Sequence, residues 1–181
     1  MRTMIGKNLR RISLLTMVLS LLPLSAYAHV NFSNTTATPG SHATLTLEVA
    51  DGCSEGDTTK IEMVMPDKVG HLMPLGIKLA KKSAKGWSMK IEKVSGKNVL
   101  TASGPAVKVS DAKPLTISFM ASLPASKGAK LAFPTTQYCG KEINSWVEPR
   151  PADGKEPVEG TYPVPTITLS AKSSKSMPKG M

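Results

Sequence analysis

The sequence has few aromatic residues and no concentrated stripe of positive charge. Aromatic side chains make up 4% of its 181 residues, although the formal net charge is +10. Proteins that bind nucleic acids usually gather their lysines and arginines on one face, whereas the lysines here are scattered along the chain. We therefore expect a basic but ordinary surface and no nucleic-acid partner.

A hydrophobic run long enough to cross a membrane is also missing. The longest apolar run covers residues 12–24, and a membrane-spanning helix needs roughly 20 apolar residues. This run precedes the small-residue stretch Ser25-Ala26-Tyr27-Ala28 and follows four basic residues, Arg2, Lys7, Arg10 and Arg11. The pattern is typical of a secretory signal peptide that is cleaved between Ala28 and His29.

The domain organisation follows from that cleavage site. Residues 1–28 form the signal peptide, residues 29–170 are predicted to form one β-sandwich domain, and residues 171–181 are predicted to be a flexible basic tail. Removal of a leader with four basic and no acidic residues lowers the formal charge from +10 to +6. We expect a protein of the periplasm or the extracellular space without a membrane anchor.

Only two cysteines occur, Cys53 and Cys139, and both lie in the mature part. Two cysteines in an exported chain usually pair. A disulfide between them would close a long loop and could contribute about 4–5 kcal/mol of stability in the chain-entropy model. Use of the two thiolates as metal ligands is the alternative interpretation.

Strand patterns recur along the mature chain, and helical patterns do not. Apolar residues alternate with polar ones in short segments, which are residues 44–49, 60–65, 87–94, 115–121, 130–138, 143–147 and 164–169. Turn-forming residues separate these segments, and the chain has 14 prolines. About eight short strands with such punctuation predict an all-β, single-domain antiparallel sandwich of immunoglobulin-like or cupredoxin-like appearance.

The first mature residue, His29, carries a chemical group that the unprocessed chain lacks. Cleavage frees its α-amine next to its own imidazole, and the two nitrogens can chelate one metal ion. An α-amine with an ordinary pKa near 7.7 yields its proton readily to a metal. Amine and imidazole nitrogens suit Cu(II), which stands highest in the divalent affinity order.

Several segments of the chain together resemble the YcnI-like family of exported copper-binding domains. The resemblance starts at His29-Val30 and runs to about Leu169. The similar segments are Ala37-Thr38-Pro39-Gly40-Ser41, Asp51-Gly52-Cys53, Lys85-Gly86-Trp87-Ser88, Phe133-Pro134-Thr135-Thr136-Gln137-Tyr138-Cys139 and Trp146-Val147-Glu148-Pro149. The position of Cys53 is similar to that in the Cys-bearing branch of the family.

The resemblance implies a β-sandwich that holds one Cu(II) in a brace made by a single histidine. By position, His29 would supply both nitrogens, and Trp146 would wall the site beside the metal. A carboxylate would complete the ligand set, and the candidates are Asp51, Glu55, Asp57 and Glu62. We favour Glu55, because a disulfide between Cys53 and Cys139 would tether its loop to the hairpin that carries Trp146.

His71 and Met73 form a second candidate set for copper. A thioether is a soft ligand that suits Cu(I), and this segment is where the chain departs from the family pattern. The competing interpretation is that methionines such as Met63 and Met65 simply fill the core. His42 adjoins a predicted turn, and we interpret it as a surface residue.

The candidate residues described above leave three kinds of function open. The leading hypothesis is a copper-binding protein that buffers copper or exchanges it with another periplasmic copper carrier. The first alternative is a metal-free adhesion or assembly module. The second is a copper oxygenase, which would need a further histidine in the brace, and His42 and His71 match no such pattern. We expect a protein that is not an enzyme.

Overall fold

The computed structural model describes residues 30–54, 56–149 and 161–170. The predicted signal peptide, His29, Glu55 and the predicted basic tail therefore lie outside the described residues. Thirteen strands are numbered here along the chain: β1 (Val30–Phe32), β2 (Thr36–Ala37), β3 (His42–Val49), β4 (Thr58–Val64), β5 (Gly70–Leu79), β6 (Lys82–Ser83), β7 (Ser88–Val94), β8 (Lys97–Val107), β9 (Leu115–Ser122), β10 (Lys130–Ala132), β11 (Thr135–Cys139), β12 (Glu142–Trp146) and β13 (Thr166–Leu169).

These strands form two five-stranded sheets and one smaller sheet. The first sheet has the order β1-β3-β9-β5-β6, and the second has the order β12-β11-β4-β8-β7. All neighbours in these two sheets are antiparallel. The third sheet has the order β10-β13-β2, and its β13–β2 pair is parallel. The predicted all-β sandwich is thus confirmed for the described part of the chain, with one parallel pair added.

The core lies between the two larger sheets, and the predicted alternation builds it. On β9 the side chains of Leu115, Ile117 and Phe119 are fully buried, while the residues between them are half exposed. Ile61 and Met63 contribute the same inward face on β4. Apolar burial of this kind supplies most of the stabilisation of a domain, at roughly 25 cal/mol for each Å² removed from water.

Two parts of the strand prediction were incomplete. Residues 130–138 were predicted as one strand, but they form β10 and β11 in different sheets, separated by Phe133 and Pro134. A proline cannot donate a hydrogen bond to a sheet, so the chain changes sheet at this point. Strands β5 and β8 were not predicted as strands.

No helix in the described residues is long and apolar enough to cross a membrane.

Candidate metal centre

Strand β1 places the start of the predicted mature domain at the edge of the first sheet. Val30 pairs with Val49 on β3 and is 1% exposed. His29 is bonded directly to Val30, so their Cα atoms lie about 3.8 Å apart. Val30 is therefore the first described residue of the predicted mature domain, next in sequence to His29.

Two contacts tie β1 and the end of β3 to the β11–β12 hairpin in the opposite sheet. The rings of Phe32 and Phe133 meet edge to face with centroids 4.7 Å apart. Further along, the side-chain Nε2 of Gln137 donates a hydrogen bond of 2.8 Å to the carbonyl of Asp51. The pair of Val30 and Val49 falls between these two ties along the strands, as Thr135 does in the opposite sheet, at the open end of the hairpin.

Trp146 occupies that part of the hairpin. It pairs with Thr135, which lies between Phe133 and Gln137, and its side chain is 1% exposed. Its indole Nε1 has no hydrogen-bond partner among the described residues. The ring of Tyr162 packs edge to face against it, with centroids 5.0 Å apart. The predicted wall residue is therefore buried at the level of Val30 and retains an unused donor.

Gln137 adds a second unused polar atom on the same inward face. Its side chain is fully buried, and its Nε2 is also within 2.9 Å of the Thr58 hydroxyl. Its Oε1 accepts no hydrogen bond from the described residues. A buried polar atom left without a partner costs about 1–3 kcal/mol, so such atoms in folded proteins usually meet a ligand, an ion or ordered water.

Glu62 lies on the other face of the second sheet. Its neighbours Ile61 and Met63 point into the core, whereas Glu62 accepts a hydrogen bond of 2.6 Å from the Tyr138 hydroxyl and contacts the Lys60 ammonium at 3.1 Å. The hydrogen bond from Tyr138 is the main reason that the pKa of the Glu62 carboxyl is lowered. It outweighs partial burial, which raises that pKa, and Lys60 lowers it further. Of the four candidate carboxylates, Glu62 is thus already bound by Tyr138 and Lys60, on the face of the second sheet that points away from the core.

Replacement of Tyr138 with phenylalanine should return the pKa of Glu62 towards its ordinary value. A carboxyl whose pKa is lowered by folding contributes stability above its unfolded pKa and loses that contribution as the pH falls through the folded pKa. Wild type should therefore exceed Tyr138→Phe in stability at neutral pH, and the difference should shrink in acid. Carboxyl NMR titration and urea unfolding measure both effects. A Tyr162→Phe control should leave the Glu62 titration unchanged, and a Tyr138→Phe chain with the wild-type titration would contradict the assignment.

The loop after β3 is fixed to the turn of the hairpin. Cys53 and Cys139 form the predicted disulfide, with Cα atoms 6.0 Å apart, so these cysteines are not metal ligands. The backbone amide and hydroxyl of Ser54 both contact Glu142 Oε1 at 3.1 Å. Trp146 lies four residues beyond Glu142 on β12, a distance of about 13 Å along a strand. The disulfide therefore tethers the loop to the hairpin, at the end away from Trp146.

The acidic residues of this loop differ in their surroundings. Asp51 is half buried and lies next to the tie to Gln137, and Asp57 is exposed. Asp57 lines a small pocket of about 280 Å³ together with Gly52, Ser54, Gly56 and Lys108. Glu55 lies outside the described residues. No group of three or more His, Cys, Asp or Glu side chains converges within the described ranges, so the choice of carboxylate stays a prediction.

Two residues of this region were not predicted from the sequence. Gln137 sits at an inward position of a segment that alternates like any other strand, and nothing in the pattern marks its amide as buried. Tyr162 lies before the last predicted strand, at a position for which no element was predicted, yet Pro163, Val164 and Pro165 next to it are buried. The inward alternation of residues 135–139 was the one available signal for Gln137.

Comparison with solved structures places this fold among immunoglobulin-like β-sandwich domains. An uncharacterized protein from Nocardia farcinica with an immunoglobulin-like fold superposes with a TM-score of 0.60 and 19% identity, over 79% of this chain and 99% of that one. The 35 kDa C-terminal fragment of the major pilin GBS80 of Streptococcus agalactiae gives a TM-score of 0.50 and 12% identity, over 79% of this chain and 55% of the fragment. These likenesses concern the fold.

The family model identifies the chain more closely. The protein belongs to the DUF1775 family, a domain of unknown function, whose model matches residues 29–169. This span agrees with the stretch that resembles the YcnI-like family, whereas membership of the Cys-bearing branch stays a prediction. No curated protein matches the sequence.

Proposed function

We propose that this protein is an exported copper-binding protein that holds one Cu(II) through the amine and imidazole of His29. The observation that carries the proposal is the buried Trp146, whose indole donor has no partner among the described residues. The indole has no lone pair for a metal, so Trp146 would wall the site and donate to an oxygen ligand. The protein would buffer copper or exchange it with another periplasmic carrier.

The polar atoms near β1 fit such a site. A metal-bound amine retains N–H groups that need acceptors, and Gln137 Oε1 is a buried acceptor with no described partner. A carboxylate is still needed to complete the ligand set, and we propose Glu55, with Asp51 and Asp57 as the competitors. Glu55 is proposed from its place in the sequence after Cys53; the disulfide holds this loop to the turn of the hairpin, away from Trp146, and so does not itself favour Glu55 over Asp51.

The proposed location follows from the leader and the disulfide. A signal peptide that ends at Ala28 directs the chain out of the cytoplasm, and structural disulfides persist in oxidising compartments. We place the mature protein in the periplasm or outside the cell.

The decisive experiment combines mass spectrometry of the exported protein with a Cu(II) titration. A mature chain that begins at His29 and binds one Cu(II) with a nitrogen-rich electron paramagnetic resonance spectrum supports the proposal. A mature chain that begins at any other residue lacks the chelate, and this result would overturn the proposal. A chain that begins at His29 but binds no Cu(II) would overturn it as well.

Replacement of Trp146 with phenylalanine should change the copper spectrum more than the stoichiometry. Phenylalanine still fills space beside the metal but removes the indole donor, so the field at the metal changes while both His29 nitrogens remain. Trp87 provides the matched control, since its Nε1 already donates to the Pro105 carbonyl at 3.1 Å. Trp87→Phe should leave the spectrum unchanged, whereas an unchanged spectrum for Trp146→Phe would place Trp146 in the core alone.

One observation favours the adhesion alternative. The edge strand β12 and the residue after it expose two large apolar side chains, Ile143 at 56% and Val147 at 53%, and an open sheet edge is a template for pairing with another chain. A fold shared with a pilin fragment is compatible with this second candidate function. Size-exclusion chromatography of Ile143→Lys against wild type tests it: loss of an assembled species in the variant supports the alternative, and a monomeric wild type contradicts it.

A further inference from the structure

The two histidines of the described chain lie side by side on the outer face of the first sheet. The rings of His42 and His71 have centroids 5.8 Å apart and planes at 87°. Two imidazoles that bind one metal ion through nitrogens at about 2.0–2.1 Å hold their ring centres roughly 5–6.5 Å apart, for angles between tetrahedral and linear. The observed separation lies within this range.

A bulge in β5 brings His71 to this position. The register against β9 shifts between Gly70, which pairs with Ser122, and Met73, which pairs with Met120. His71 has a positive φ of 43° and stays exposed, whereas Leu72 turns to the core. Positive φ is uncommon outside glycine, and both bulges and such backbone outliers are frequent at functional sites, where they re-aim a side chain.

His42 is oriented by a neighbouring hydroxyl. Its Nδ1 lies 3.0 Å from the Ser122 Oγ, and the two residues are register partners on β3 and β9. Occupation of Nδ1 by this hydrogen bond leaves Nε2 for another partner. Histidines that bind metals commonly have one ring nitrogen held in this way, which fixes the tautomer and the direction of the other nitrogen.

Two methionines adjoin the histidine pair. Met73 and Met120 are directly opposite each other on β5 and β9, and Met120 also faces Thr44 on β3. Directly opposite residues have Cβ atoms about 4.5–5.5 Å apart, and diagonal neighbours lie about 7–8 Å apart, which long side chains can bridge. Met73 is 42% exposed, so core packing does not explain its place on this face.

We propose that His42, His71, Met73 and Met120 form a second metal site, selective for a soft monovalent ion such as Cu(I). Thioether and imidazole ligands together favour Cu(I) over hard cations. The site shares no residue with the proposed brace at His29, and it lies on the solvent side of the first sheet, whereas Trp146 lies between the sheets. The two proposals are therefore independent, and one can fail without the other.

The test is an anaerobic titration of the full mature chain with Cu(I) against a chromogenic Cu(I) chelator. The variant His71→Asn suits the backbone, because asparagine tolerates positive φ better than most residues. We expect His71→Asn and Met73→Leu each to weaken Cu(I) binding by at least about 10-fold, and the double variant to remove it. His29→Ala should retain this Cu(I) affinity, and so should the matched control Met89→Leu on β7.

A second readout separates the two sites. Imidazole NMR with Ag(I), a redox-silent substitute for Cu(I), should shift the His42 and His71 signals and leave those of His29 unchanged. The proposal is overturned if the double variant binds Cu(I) as tightly as wild type, or if Cu(I) affinity disappears in His29→Ala alone. Circular dichroism confirms that each variant is folded, and the exposed positions of His71 and Met73 make loss of the fold unexpected.

Discussion

Replacement of His29 with alanine is expected to abolish tight Cu(II) binding and leave the domain folded. The substitution removes the imidazole and with it the chelate ring, so the amine alone remains as a nitrogen ligand. Loss of a hydrogen-bond partner outside the ligand set typically costs 10- to 100-fold in metal affinity, roughly, and loss of a ligand should exceed that. Competition titration against a Cu(II) chelator measures the change.

The matched control for this experiment is His42→Ala. It removes one of the three histidines but leaves the His29 chelate complete, so one Cu(II) should still bind tightly. Because Val30 and Phe32 supply the buried side chains of β1, the unfolding midpoint of His29→Ala should stay close to that of wild type. A His29→Ala chain that still binds one Cu(II) with wild-type affinity would eliminate the brace.

Removal of the disulfide through Cys53→Ala and Cys139→Ala should lower the free energy of unfolding by about 2–5 kcal/mol. The bridge closes a loop with a sequence separation of 86 residues, so the unfolded chain gains much freedom without it. Cys139 is also buried, and the Thr58 hydroxyl lies 3.7 Å from its sulfur. Urea unfolding of the double variant against wild type measures the loss.

Chemical reduction of the wild-type protein distinguishes the effect of losing the disulfide bond from the effect of replacing the two cysteine side chains. A reductant that opens the disulfide should reproduce most of the loss of stability with both cysteines still present. If the double variant unfolds at the same urea concentration as wild type, the bridge contributes nothing to stability, and other contacts, such as those of Ser54 with Glu142, hold this loop to the hairpin. The copper titration of the same variant would then show whether that loop matters to the metal.

Much of the framework could be predicted from local pattern, because alternation on strands such as β3 and β9 is a property of neighbouring residues. The alternation of residues 44–49 predicted one buried face, and Leu45, Leu47 and Val49 on that face are all buried. Strand β5 was not predicted, since its glycines, its proline and two register shifts break the alternation. A strand that contains bulges is recognised only once its partner is known.

The candidate site, like the fold, could be predicted only in part from the sequence. His29 was predicted from the signal-peptide pattern that precedes it, and Trp146 from the family resemblance. The position of the hairpin relative to β1 depends on contacts between the two sheets, namely Phe32 with Phe133 and Asp51 with Gln137. Such contacts join residues about 86 to 101 positions apart, and a sequence pattern with a period of two carries no information about them.

The placement of β13 has a consequence for the order of assembly. This strand lies between β10 and β2, and it joins β2 in parallel through Thr168 with Thr36 and Leu169 with Ala37. The third sheet therefore lacks its central strand until the chain has been synthesised as far as Leu169. In the export proposed above, a chain that emerges from its amino end would lack this central strand during most of its passage, including the time when the leader is cleaved and the disulfide can form.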